Sequence, residues 1–141
     1  MLTTLIAVDG SEHSLRAVEH VCRLAAAGLQ MDVHLLNVQI PVESGHVRMF
    51  VEANAIEDYY RQEGLQALAE ACARLDRAGI RYTRHLAVGH VADTIAHYAT
   101  QLKAGQVVMG SHGRGALRHA LMGSVATDVI RRVDTAVTLV R

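Results

Sequence analysis

Four of the chain's 11 glycines fall in one stretch, GSHGRGALRHALMGSVATD, which runs from Gly110 to Asp128 directly after the apolar run Val107-Val108-Met109. Glycine at 110, 113, 115 and 123 signals backbone that turns sharply or lies against something that leaves no room for a side chain. The loop from Gly110 through Ser111, His112, Gly113, Arg114 and Gly115 to Ala116 would present several backbone N–H groups unobstructed by side chains. Gly123-Ser124 then opens a helix, with Ser124 read as its N-cap, and the first N–H groups of a helix have no partner within it. Oriented amides, the positive end of a helix dipole, a hydroxyl and a nearby arginine together describe a phosphate cradle. Each N–H aimed at a charged oxygen contributes about 1.5–3 kcal/mol, so a handful suffices to hold a nucleotide. The plainer alternative is that the glycines only negotiate a strand-to-helix connection. Their number, beside Arg114 and between an apolar strand and a helix, favours the anion.

Better-known phosphate loops fit this stretch poorly. Gly110 to Gly115 satisfies G-x-x-x-x-G, but Ala116-Leu117 stand where a P-loop needs Lys and Ser/Thr. The dinucleotide fingerprint is also absent, since Arg118 stands where its third glycine belongs. Nine histidines are scattered from His13 to His119 without an H-x-x-x-H pair or a cysteine at ligand spacing, so no dedicated metal site is expected. No Ser/His/Asp or paired-carboxylate constellation stands out, and no catalytic residue is assigned.

The elements that must position the loop follow from periodicity. Thr3 to Val8 is a β-prone run broken by Asp9-Gly10-Ser11, after which Leu15, Val18, Cys22, Ala25 and Leu29 recur at helical spacing. Asp32 to Val38 forms a second strand, ended by Pro41. A long helix from about Val51 to Ala78 carries Leu65, Leu68, Cys72 and Leu75 on one stripe, is weakened at Gly64 and stops at Gly79. Ile80 to Val88 reads as a strand with one wet side, hence an edge; His90 to Leu102 is a helix ended by Gly105. After the strand at 107–109 and the glycine stretch, Val125, Val129 and Val133 mark a last helix and Ala136 to Arg141 a last strand. Strands alternating with helices imply a mainly parallel sheet covered on both faces, in one α/β domain over 1–141. In such open sheets ligands sit beyond the carboxyl ends of the strands, where Asp9-Gly10-Ser11 and the Gly110 loop would face each other.

Composition bounds the partners. The net charge is zero, yet residues 1–70 hold ten acidic and four basic side chains, and residues 71–141 four acidic and ten basic. The second half is therefore the better host for a small anion, while a balanced total and a single Phe argue against a nucleic-acid platform. No apolar stretch approaches the roughly 20 residues that cross a bilayer, and the N-terminal MLTTLIAVDG enters a strand without a signal-peptide pattern. A cytoplasmic protein with no membrane association is expected, with Cys22 and Cys72 as reduced core thiols.

Gly110, two residues, Gly113, nine residues and then Gly123-Ser124 resemble the G-x2-G-x9-G-[S/T] ATP-binding motif of the universal stress protein family, the UspA-like fold. The resemblance spans LIAVDGSEHSLRAVEHVCRLA, VMGSHGRG, GSVATDVIRR and the terminal strand. It implies a doubly wound open sheet of five mainly parallel strands in the order 3-2-1-4-5. It also implies ATP held at the first strand's end by Ala7 and Asp9, and at the second's by the Val38 backbone. The phosphates and ribose would meet Met109, Gly110, Ser111, His112, Gly113, Arg114, Gly115 and Ala116, together with Gly123, Ser124, Val125 and Ala126. Mg2+ or Mn2+ would be held mainly through the phosphates. Two departures are visible: Thr135-Ala136-Val137 replaces a proline-containing entry to the last strand, and Thr127-Asp128 stands where Ser-Glu is frequent.

In that strand order 137–141 is an edge without proline or inward charge, which implies a homodimer joined through it. The function expected is that of an ATP-binding regulatory module of stress response, read by an unidentified protein partner. A slow ATPase or autophosphorylating enzyme, with Asp9 or His112 as proton acceptor and Ser111 or Ser124 as phosphoryl acceptor, is the alternative. A flavin or electron-transfer module is a third, disfavoured by the few aromatic residues.

Overall fold

The computed structural model describes residues 1–42, 53–113 and 122–141. Its strands are β1 (Leu2–Ala7), β2 (Met31–Gln39), β3 (Tyr82–Val88), β4 (Gln106–Gly110) and β5 (Ala136–Val140). Between them run α1 (Glu12–Ala26), α2 (Ala53–Arg77), α3 (Val91–Gln101) and α4 (Ser124–Arg132). The strands form one sheet in the order β3-β2-β1-β4-β5, and every pairing is parallel.

The unbroken apolar runs are explained by burial on two sides. Leu5 and Ile6, adjacent in β1 and so pointing to opposite faces, are both fully buried. On one face Ile6, Val33, Leu35 and Val108 pack against α1 and against Leu68, Ala71 and Leu75 of α2. On the other, Leu5, Leu36, Val107 and Met109 pack against Ile95 and Ala99 of α3 and Ala126 and Val129 of α4. β4 is buried along its whole length, and its one polar side chain is satisfied: Gln106 Nε2 donates to Thr4 Oγ1 at 3.0 Å. β3 lies at an edge, as expected, but the neighbours Thr83 and Arg84 point to opposite faces and are both exposed, so the strand is not wet on one side alone.

The helices form where periodicity and caps place them, with local differences. Ser11 caps α1 by accepting the Ser14 N–H at 3.3 Å, and Glu12 and Arg23 complement the helix dipole at the two ends. Its buried face is centred on Ala17, Val18 and Val21, with Leu15, Cys22 and Ala25 at the margin; Leu29 lies beyond the helix and is exposed. The expected start of the long helix near Val51 lies outside the described residues, whereas its stop at Gly79, in the left-handed region at φ 71°, is observed.

Gly64 serves approach, because a Cβ there would stand 2.8 Å from Leu86 Cδ2 of β3. Gly105 does not end α3. Lys103 makes that turn at φ 52°, and Gly105 instead donates its N–H to Thr3 O at 2.8 Å, drawing β4 toward β1. Cys22 and Cys72 are free thiols at the margin of the core, and burial raises the pKa of Cys22. Among the described residues no helix is long and apolar enough to cross a membrane.

Candidate functional site

From β1 the chain proceeds to β2 and β3 on one side of the sheet; from β4 it proceeds to β5 on the other. The chain thus leaves β1 and β4 toward opposite edges, and a cleft of about 780 Å³ opens at the carboxyl ends of these strands. Ala7 and Asp9 reach it from the end of β1, Val38 from β2, and Met109, Gly110, Ser111, His112 and Gly113 from β4 and its loop. Gly123, Ser124, Val125 and Ala126 reach it from the start of α4. All twelve expected site residues within the described part of the chain thus share one cleft. Arg114, Gly115 and Ala116 lie outside the described residues.

The cleft has two chemistries. Ala7, Leu36, Val38, Val91, Ile95 and Met109 belong to the cluster between the sheet and α3/α4 and give it an apolar wall. Around the Gly110–Gly113 loop and the start of α4 the lining is polar. Asp9 is held in an Asx turn, its Oδ1 accepting the Ser11 N–H at 2.9 Å, while its Oδ2 faces Gly113. Ser111 is buried, and its Oγ lies 3.0 Å from His112 Nδ1; the His112 and His13 rings are 5.3 Å apart.

Two details differ from the sequence reading. The N-cap of α4 is Gly123, and Ser124 is the first helical residue, so the cap position itself offers no side chain to the first-turn N–H groups of Ser124, Val125 and Ala126. Two of the amides expected to face a ligand are engaged within the protein: Ser111 N–H donates to Val140 O at 2.8 Å, and Gly123 N–H to Ser111 O at 2.7 Å. Two glycines are likewise required by the protein's own atoms. A Cβ at Gly110 would lie 2.7–2.9 Å from Cβ, C and O of His13 in α1, and one at Gly113 would lie 2.8 Å from Asp9 Oδ2. Among the described residues, the amides of Ser124, Val125 and Ala126 precede the first intrahelical bond of α4, which Thr127 N–H makes to Gly123 O at 3.1 Å.

Several cleft residues escaped the sequence reading, Asn37 above all. It is 2 % exposed, donates from Nδ2 to Val8 O at 2.8 Å and accepts Gln39 Nε2 on Oδ1 at 2.7 Å. It thereby fixes the backbone immediately before Asp9. A lone amide side chain in the apolar run Leu35–Val38 was the available signal. Thr127 and Asp128 also line the cleft, and the Thr127 hydroxyl donates to Gly123 O at 3.0 Å. Among the described residues no three His, Cys, Asp or Glu side chains are grouped to hold a metal ion.

The model of the universal stress protein family matches residues 1–141. Universal stress protein MJ0531 of Methanocaldococcus jannaschii is 28% identical over 139 residues, covering 97% of this chain and 80% of that protein. The solved structure of MJ0577 superposes with a TM-score of 0.83 at 27% identity, covering 99% of this chain and 94% of that one. A universal stress protein crystallised in complex with cAMP superposes with a TM-score of 0.72 at 27% identity, covering 99% and 97%.

Because the Gly110 contact is with backbone that cannot move aside, Gly110→Ala is expected to destabilise the fold by about 1–3 kcal/mol through overpacking against α1. Urea unfolding of the two proteins side by side measures this, and an unchanged midpoint would contradict the close approach.

Proposed function

The chain belongs to the universal stress protein family, and from that premise we propose that it binds an adenine nucleotide, ATP with Mg2+ or Mn2+, in the cleft between β1 and β4. The observation that carries this reading is the side-by-side placement of an apolar wall and an uncapped helix N-terminus in one cleft. A planar base suits Ala7, Val38, Val91 and Ile95, and an anionic tail suits the amides of Ser124, Val125 and Ala126. Asp9, pinned at the end of β1, is placed to accept from a ribose hydroxyl. The cAMP complex of a relative supports an adenine nucleotide as the class of ligand. The divalent ion in this reading is held through the phosphates. The protein acts in the cytoplasm as a regulatory module whose nucleotide state is read by a protein partner.

Calorimetric titration of nucleotide-stripped protein with Mg-ATP is expected to show saturable heat. Gly113→Val and Gly123→Val together are expected to weaken binding by at least about tenfold, about 1.4 kcal/mol. Absence of heat with the parent protein refutes the reading, and an equal response of the double variant places the ligand elsewhere.

A second reading is favoured by one contact, Ser111 Oγ at 3.0 Å from His112 Nδ1. Here Ser111 Oγ attacks the γ-phosphorus of ATP, the bond to the β–γ bridging oxygen breaks, ADP leaves, and His112 takes the hydroxyl proton. Intact-mass analysis after incubation with Mg-ATP is expected to show one added phosphoryl group that Ser111→Ala abolishes; an unmodified mass excludes it.

β5 is an edge strand and ends against the site, since Val140 O accepts the Ser111 N–H. The reading includes a two-fold homodimer paired through residues 137–141. Sedimentation velocity at micromolar concentration is expected to give twice the chain mass, and a monomer there removes the dimer.

A further inference from the structure

A cluster that the nucleotide reading does not use lies one layer below the cleft, on the face shared by β2, β3 and α3. His34 of β2 and His85 of β3 meet with Nδ1 and Nε2 2.9 Å apart. The other nitrogen of His34, Nε2, stands 3.0 Å from Asp32 Oδ2. The His85 ring packs edge-on against Tyr98 of α3, with centroids 5.3 Å apart, and Tyr98 meets His97 at 6.0 Å. The side chain of Arg84, beside His85 in the strand, belongs by alternation to the opposite face. The groups that bear on His85 are therefore His34 with Asp32 behind it from β2, and Tyr98 with His97 from α3.

The hydrogen-bond directions follow from chemistry. Asp32 as a carboxylate only accepts, so His34 carries its hydrogen on Nε2 and presents a bare Nδ1. His85 must then donate from Nε2. One added proton leaves this bond intact, because His85 can take it on Nδ1. A proton on each ring places hydrogens on both facing nitrogens, turning a donor–acceptor pair into two donors and two like charges in contact.

We propose that Asp32, His34 and His85 form an acid-sensitive clasp that holds β3 and α3 under the apolar wall of the cleft and loosens when both rings are protonated. Position carries the consequence. His85 is the register partner of Leu36, and Tyr98 lies one turn beyond Ile95, so both neighbours of the clasp line the cleft. β3 pairs only with β2 in the sheet, so no further strand among the described residues holds its outer side. Burial first, and then the charge of His34, holds the pKa of His85 below the ordinary histidine value. The unfolded chain therefore binds more protons. The clasp's stabilisation is complete above the ordinary histidine value and is lost as the pH falls below it.

The test is hydrogen exchange of the full-length, nucleotide-free protein at about pH 7.5 and about pH 5, with rates corrected for intrinsic exchange. Protection of β3 amides is expected to fall at least about fivefold more than that of β1 and β4 amides. His85→Gln keeps an amide donor toward His34 but cannot charge, and is expected to abolish this selective loss. Where that variant folds poorly, an NMR titration of the parent histidines decides: His34 and His85 are expected to titrate as a coupled pair in two steps. Uniform loss of protection across the sheet, a His85→Gln protein as acid-sensitive as the parent, or independent titration of the two rings overturns the clasp. None of these readouts requires a nucleotide, so failure of the binding reading leaves the outcome interpretable.

Discussion

The pairing of β1 with β4 is the constraint from which the rest of the site follows. Strands three crossovers apart in the chain are brought side by side, with Thr4 against Gln106, Leu5 against Val107 and Ile6 against Val108. The chain leaves them toward opposite edges, which opens a crevice between their carboxyl ends. Polar contacts buried in the sheet enforce the match: Gly105 N–H to Thr3 O, and Gln106 Nε2 to Thr4 Oγ1. An unpaired amide at that depth would cost about 1–3 kcal/mol, so register and burial specify each other. A slip by one residue would carry Val107 and Met109 to the wrong face and remove the floor of the cleft.

The glycines show how a site can be legible while the reason for its residues is not. Glycine at 110, 113 and 123 marks close approach correctly, and a single sequence cannot say what approaches. At Gly110 it is the backbone of His13, and at Gly113 the carboxylate of Asp9. The loops after β1 and β4 thus meet each other first, and the ligand-facing surface is what their contact leaves over. Ser111 and Gly123 follow the same logic, because their amides close the loop before they could serve an anion. The missing cap on α4 becomes more telling for that reason. Ser11 caps α1 with its hydroxyl, whereas α4 begins at a residue with no side chain to offer.

The existence of each element and the edge character of β3 are carried by hydropathy and punctuation over many residues, and such signals survive local error; the strand order was legible only through the family resemblance. Helix faces were legible to within one position: the α1 stripe read through Leu15, Val18 and Cys22 is centred on Ala17, Val18 and Val21. Small residues account for the shift, since alanine is buried where a helix lies close to the sheet and carries little apolar weight in a pattern. The end of α3 was read at the right place, Leu102, but its turn was given to Gly105 because Lys103 adopts a left-handed conformation that pattern reading assigns to glycine. The partners of Asn37 and of the His34–His85 pair were not legible, although a lone amide in an apolar strand marked Asn37 itself. Each acquires its role from a partner on another strand, at separations of 29 and 51 residues.

The polar end of the cleft and the outermost strand share atoms, and this limits how either can vary. One residue, Ser111, joins them: its N–H is the last rung between the β4 side of the site and Val140, and its carbonyl receives the Gly123 N–H at the threshold of α4. Its hydroxyl, buried, is spent on His112. With donor, acceptor and side chain all committed, Ser111 cannot follow a movement of α4 without disturbing the end of β5, or the reverse. The amides of Ser124, Val125 and Ala126 are positioned through the same contact, because the helix they begin is anchored one residue earlier, at Gly123. For the anion proposed at this site, donors fixed in this way need little reordering, which adds affinity that contact area alone would not provide.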